Sequence, residues 1–350
     1  MNVPVPGGRR LLRARIGARA LATLAALAAL PAAADDQARH LLDAMNQALA
    51  SRNYQGEFLH LGHGPIEKLR IFHRVKDGHV VERLVSLSPH GREIVRHDGE
   101  LQCFLPDELT VLVETPPDRG ALLGAVPSFD SSVEENYRVE LTGHARVLGR
   151  PTTIVSVLPR DGYRFGYRLW IDEENKMPLR TDLCDEHGQM LEQVLFNALE
   201  VDVQLPDSVF RSEVDATHFT WIRQAADPPR AAAREPAWQL LQLPPGFKVS
   251  SSGEQHLPGS DGPVTHLVLS DGLASVSVFI EGPPPPPRQP SEGQGRVGSA
   301  FAYSRFVAGH QVTAIGEVPA QTVEYIATGA APGVPPKEGY GLVAGPRPRP

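Results

Sequence analysis

The apolar positions of this chain change period once, early, and then hold the new period almost to the end. From Gln37 to Ala50, Leu41, Leu42, Met45, Ala48 and Leu49 recur at helical spacing, and the reading is one amphipathic helix with Asp35 and Asp36 at its N-terminus. After it the period is two. Leu69, Ile71, His73 and Val75 alternate with Arg70, Phe72 and Arg74; Val81 to Leu87 follows the turn at Asp77-Gly78, and Leu101, Cys103 and Leu105 follow the turn at Asp98-Gly99. Further strands are expected at 109–114, 137–142, 152–158, 163–172, 178–185 and 190–200. Turns this short do not leave room for crossover helices, so the strands must pair as an antiparallel meander. The expected fold class is α+β, mainly β: one large curved antiparallel sheet with few helices, and a smaller β-rich C-terminal unit.

Ahead of this pattern stands a leader. Arg9, Arg10, Arg13, Arg15 and Arg19 precede the apolar run Ala20–Leu30, Pro31 breaks it, and Ala32-Ala33-Ala34 offers small residues to a signal peptidase before Asp35. The run is too short to span a bilayer, which takes about 20 apolar residues. Residues 1–34 are therefore expected to be a cleaved signal peptide and the mature protein to be periplasmic. Losing five arginines and no acid takes the formal charge from −7 to −12. A chain this acidic gains nothing from nucleic-acid phosphates or an anionic membrane surface.

The remaining chain divides by composition. Residues 35–210 read as the large sheet domain and 211–236 as a linker centred on DPPRAAAREP. Residues 237–328 read as the second domain, with strands at 238–243, 264–270, 274–281, 300–307 and 311–318 and a closing helix at 320–328; 329–350 read as a disordered tail. Five consecutive prolines, Pro283–Pro287, suggest a polyproline II excursion within a long loop to about Ser299.

Catalytic constellations are absent from the sequence. There is no HExxH, GxSxG or Walker loop, and His60 and His63 alone do not make a metal site. Gly293-Gln294-Gly295-Arg296-Val297-Gly298 spells GxGxxG but follows a proline-rich loop instead of joining a strand to a helix. The expectation is no enzyme, no cofactor and no metal. Whether Cys103 and Cys184 pair is left open, since sequence does not show their separation.

What stands out instead is apolar surface. In the run 163–172, Tyr163, Phe165, Tyr167, Leu169 and Ile171 share one face. They are either ordinary sheet core or, with Phe58, Leu69 and Ile71 from neighbouring strands, the lining of an apolar cavity for an acyl chain or peptide. In the second unit, the WQLLQLPPGF signature and the strand after Asp271-Gly272 place Trp238, Phe247, Asp271 and Phe279 as candidates for contact with a partner chain.

Four blocks carry a resemblance: YRVELTGHARVLGRPTTIVSVLPRDGYRFGYRLWID (137–172), WQLLQLPPGFKV (238–249), HLVLSDGLASVSVFIE (266–281) and VTAIGEVPAQTV (312–323). In this order and spacing the chain resembles the RseB/MucB family of sigma-E factor regulatory proteins. The resemblance implies a first domain similar to the lipoprotein carriers LolA and LolB, with an apolar cavity, and a smaller β-rich second domain. It implies a periplasmic negative regulator that binds the periplasmic domain of a membrane anti-sigma factor of the RseA/MucA type and shields it from site-1 proteolysis. Envelope stress releases it, with lipid or lipopolysaccharide as a candidate signal. A homodimer stays open. The alternative is a periplasmic lipid or lipoprotein carrier without a regulatory partner, against which the second domain argues.

Overall fold

The computed structural model describes residues 30–89, 91–97, 99–115, 122, 133–223, 238–255, 260, 262–283 and 291–333. The leader up to residue 29, the prolines from 284 and the tail from 334 lie outside these, so the expectations placed on them are not addressed. Helix α1 runs Leu30–Ser51. It begins ahead of the expected cleavage point, so Asp35 and Asp36 lie a turn inside it and do not form its first turn, as the spacing suggested.

The first domain is one sheet. Its strands are β1 (Tyr54–Leu61), β2 (Glu67–Lys76), β3 (His79–Ser86), β4 (Glu93–His97), β5 (Glu100–Leu105), β6 (Thr110–Glu114), β7 (Tyr137–Val147), β8 (Arg150–Pro159), β9 (Gly166–Asp172), β10 (Pro178–Cys184), β11 (Met190–Val201) and β12 (Thr220–Arg223), with the short helix α2 (Val133–Asn136) before β7. Their order is β12-β6-β5-β4-β3-β2-β1-β11-β10-β9-β8-β7, so β1 and β11 zip two meanders together at the centre. The β2–β3 hairpin closes through Asp77 (φ 54) and Gly78 (φ 81), both left-handed, the backbone a two-residue turn needs to match strand twist.

One expectation changes here, and one open question closes. Residues 211–223 are not linker. Val214, Ala216 and Phe219 pack on Phe104, Val111 and Val113, and β12 pairs with β6 in parallel, the one departure from the antiparallel pattern. Cys103 on β5 and Cys184 on β10 are free thiols, with β4, β3, β2, β1 and β11 between their strands. At about 4.8 Å per strand they are far beyond disulfide reach.

α1 lays Ala38, Leu42, Met45, Ala48 and Leu49 onto the sheet and packs chiefly over β7, reaching as far as β2. Each large side chain fully buried this way contributes about 1.5–3 kcal/mol. Beside this core lies a buried polar cluster. His73 stacks on Tyr54 at 4.7 Å and donates its Nδ1–H to the Arg52 carbonyl; Glu82 pairs with Arg96 at 2.9 Å and accepts the backbone N–H of Leu122. Burial lowers the His73 pKa and raises that of Glu82, in the latter against the pull of Arg96.

The second domain comprises β13 (Trp238–Leu240), β14 (Lys248–Gln255), β15 (Val264–Ser270), β16 (Ser275–Glu281), β17 (Gly293–Val297), β18 (Ala300–Val307), β19 (His310–Gly316), α3 (Ala320–Thr328) and β20 (Ala330–Pro332). Six strands form a sheet in the order β14-β15-β16-β19-β18-β17, and α3 covers one face. The segment 293–297, expected in a loop, is an edge strand hairpinned to β18, which is why its glycines bind no dinucleotide turn. Ala330–Pro332, expected in the tail, pairs with Trp238–Leu240 and closes the domain.

Candidate functional site: the seam between the two domains

Strand β9 starts at Gly166, not at Tyr163. Residues 160–165 leave the ladder, and the Tyr163 carbonyl accepts its hydrogen bond from the Thr322 hydroxyl of α3 at 2.8 Å instead of from a neighbouring strand. The Gly162 carbonyl likewise accepts from the Gln321 amide. This excursion carries Arg164 into the second domain, where its side chain is fully buried.

Arg164 is the centre of the seam. Nη1 donates to Asp271 Oδ2 at 2.9 Å, Nη2 donates to the Pro245 carbonyl, and the guanidinium lies between the rings of Tyr137 and Phe247, 5.5 and 5.1 Å from their centroids. Tyr137 donates its hydroxyl to the same Asp271 oxygen at 3.0 Å; burial, and then the Asp271 charge, push its pKa up. The other Asp271 oxygen accepts the backbone N–H groups of Leu273 and Ala274, which pins the turn after β15. Both Nη atoms of this buried charge find acceptors across the seam, while Nε lies 3.1 Å from Asp161 without a hydrogen bond.

The Pro244-Pro245-Gly246-Phe247 corner is a type II turn, with Phe247 N–H donating to the Pro244 carbonyl and Gly246 at φ +80. A Cβ on Gly246 would overlap the amide of Asn136 in the first domain. Further along the seam Tyr163 meets Tyr325 at 5.4 Å and Phe165 meets Phe301 at 6.5 Å.

A second patch of the seam is polar. His60 lies 3.5 Å from Glu192, Ser299 donates to Glu317 at 2.7 Å, and Arg296 contacts the His63 ring nitrogen at 3.0 Å. A cavity of about 30 Å³, room for one water, lies among Tyr167, Thr181, Glu192, Gln193 and Glu317.

The sequence-named cavity residues separate. Phe58, Leu69, Ile71 and Leu169 sit in the packed core with α1, with Tyr167 against its margin. Tyr163 and Phe165 belong to the seam and not to the sheet face, because Arg164 draws their segment across. Among the named partner contacts, Trp238 and Phe247 are core residues of the second domain and Asp271 is buried in the seam. Their burial removes them from any free surface. Phe279 points away from the α3 side and stacks on His266 at 4.4 Å.

The apolar surface lies elsewhere. One register row crosses six strands, Ile71–Leu84–Ile94–Cys103–Leu112–Ile222, and grades from fully buried at Ile71 to 44 % exposed at Ile222 as the cover of α1 ends. Alternation in the sequence named Ile71 and Cys103, but Ile222 fell in the expected linker, and only the register aligns the row. Among the described residues no group of three or more His, Cys, Asp or Glu side chains could hold a metal ion.

The chain is a two-domain β scaffold whose halves are joined by a buried ion pair and a shared carboxylate. The family models agree on both halves: the MucB/RseB N-terminal domain matches residues 37–214 and the MucB/RseB C-terminal domain residues 232–331. The chain belongs to the MucB/RseB family of sigma-factor regulatory proteins. It is 32 % identical over 322 residues to the sigma factor AlgU regulatory protein MucB of Pseudomonas aeruginosa, covering 89 % of this chain and 96 % of that protein. It is 27 % identical over 316 residues to the sigma-E factor regulatory protein RseB of Escherichia coli K12, covering 89 % and 95 %. Among solved structures, the Pseudomonas aeruginosa MucA/MucB complex matches with a TM-score of 0.67 at 28 % identity over 85 % of this chain and 99 % of that one. Crystalline MucB matches with a TM-score of 0.59 at 29 % identity, over 85 % and 98 %.

Proposed function

We propose that this protein is a periplasmic negative regulator of an extracytoplasmic-function sigma factor. It binds the periplasmic domain of a membrane anti-sigma factor of the RseA/MucA type and shields it from site-1 proteolysis. The observation that carries this reading is the seam: all four resemblance blocks, far apart in sequence, converge on it through Arg164, the Pro245–Phe247 corner, Asp271 and Thr322. The chain matches MucB over both domains, and solved MucB is known in complex with MucA(peri). The leader supports export, and the acidic mature charge suits a protein partner better than a nucleic acid.

The input is lipid, released from damaged envelope. An acyl chain would lie on the Leu84–Ile94–Cys103–Leu112–Ile222 row, not under α1, whose core is filled. If bound lipid favours one domain arrangement over another, coupling of about 1–3 kcal/mol would release the partner. In this reading the second domain makes most of the partner contact, with the half-buried Phe279 face its remaining candidate.

The test is a purified mixture of this protein, the periplasmic segment of its anti-sigma factor and the site-1 protease. Complex formation and slowed cleavage are expected, both reversed by lipopolysaccharide fragments. Cleavage at the same rate with and without this protein would overturn the regulatory reading. Lipid binding with no anti-sigma binding would point to a carrier.

A further inference from the structure

The polar patch of the seam holds ionisable groups from both domains and plays no part in the function proposed above. His60 on β1 and Glu192 on β11 belong to the first domain, 3.5 Å apart. Glu317, just after β19, and Ser299, in the β17–β18 turn, belong to the second and are joined at 2.7 Å. Glu192 and Glu317 together border the water-sized cavity. Docking the domains thus brings two carboxylates to one small space, with a single histidine as their shared counter-charge.

We propose that this cluster makes the docking of the two domains proton-linked, so that mild acid tightens the seam and alkali loosens it. Two carboxylates and a neutral imidazole carry a formal charge of −2 in a confined space, and the second domain must bring one of those charges in. Protonating Glu317 and His60 takes the cluster to zero. The other groups facing it do not cancel this. From the first domain these are His63, Glu67 on β2 and the Tyr167 hydroxyl on β9; from the second it is Arg296, whose guanidinium is engaged by His63 and by the Phe301 ring at 4.7 Å.

The directions of titration agree. Burial, reinforced by the Glu192 charge, raises the Glu317 pKa, while the Ser299 hydrogen bond opposes the rise. The hydrogen bond to Glu192 raises His60. Burial alone would raise Glu192, but the bond from His60, with the His60 and His63 charges, outweighs it and its pKa falls, so it stays charged. The docked state therefore binds more protons than the undocked one near Glu317, and docking weakens as pH rises through that group's elevated pKa. One linked proton changes the docking constant by up to about tenfold per pH unit.

The experiment follows hydrogen exchange of the backbone amides at 297–301, corrected for intrinsic rates, in the whole protein from about pH 4.5, the ordinary carboxylate value, to about pH 8.5, with small-angle scattering alongside. Protection is expected to fall as pH rises, with an accompanying gain in radius of gyration. Glu317→Gln, which mimics the protonated acid, should hold the acid level of protection throughout. Flat wild-type protection, or any profile of Glu317→Gln other than the protected plateau, overturns the proposal. Should Glu317→Gln fail to fold, as judged by circular dichroism, Ser299→Ala decides. Loss of the hydroxyl that stabilises the charged carboxylate must move the wild-type midpoint to higher pH, and an unmoved or lowered midpoint overturns it.

Discussion

Arg164 and Asp271 meet at 2.9 Å with neither side chain exposed, and they come from different domains. Asp161 also approaches Arg164 Nε at 3.1 Å, but only Asp271 meets the guanidinium from the other domain. Replacing Asp271 with alanine leaves a guanidinium sealed from water and also frees the Tyr137 hydroxyl, at an expected cost of about 3–5 kcal/mol. Thermal unfolding of Asp271→Ala measures it. The double replacement Arg164→Met/Asp271→Leu should recover part of the loss, because removing both charges leaves no buried ion without a partner. Equal instability of the single and double variants would show that the ion pair is not what holds the seam.

Gly246→Ala tests the corner that presses on Asn136. The backbone at φ +80 disfavours any side chain, and the added methyl overlaps the Asn136 amide. A loss of about 1–3 kcal/mol is expected. Adding Asn136→Ala should relieve the overlap but not the backbone strain, so denaturant titration of the pair should show partial recovery.

His73 predicts how the first domain responds to acid. Burial holds its pKa below the usual 6.5, so the folded state binds fewer protons than the unfolded one, and the stability that neutral His73 provides is lost as pH falls below about 6.5. Glu82, raised by burial and 3.9 Å from the His73 ring, acts in the opposite sense, and it remains in a His73→Gln variant whose neutral amide stands in for the neutral imidazole. The difference in stability between the two should therefore move against wild type by up to about 1.4 kcal/mol per pH unit on acidification from pH 7 to pH 5. Parallel stability curves would contradict it.

The apolar row makes a binding prediction. Ile94 and Leu112 are half-buried, so Ile94→Asp and Leu112→Asp should cost little stability. Both should nevertheless weaken binding of a hydrophobic fluorophore or a lipopolysaccharide fragment by about tenfold or more, since a carboxylate there must be desolvated by the ligand. Leu42→Ala in α1, by contrast, should lower stability by about 2–5 kcal/mol through a cavity in the core.

Much of the local structure was legible. The strands at 264–270 and 300–307 and the helix at 320–328 occur where period and turn residues placed them, and Asp77-Gly78 forms the hairpin it spells. The run 163–172 was misread at its start. Its alternation from Tyr163 is real, but alternation records which side chains share a direction and not whether a neighbouring strand is present. Here Thr322 takes the carbonyl that a ladder would have used. The edge strand 293–297 was hidden for the opposite reason: glycine-rich and exposed throughout, it has no apolar signal to read.

The sequence by itself determined most of the strands and the family, because these rest on local periodicity and on blocks of residues that can be compared directly. Only the tertiary structure decided which residues make the site. Arg164 and Asp271 are 107 positions apart, and the row from Ile71 to Ile222 draws one residue from each of six strands. Such neighbours are created by register and by domain docking, which depend on the packing of the whole chain.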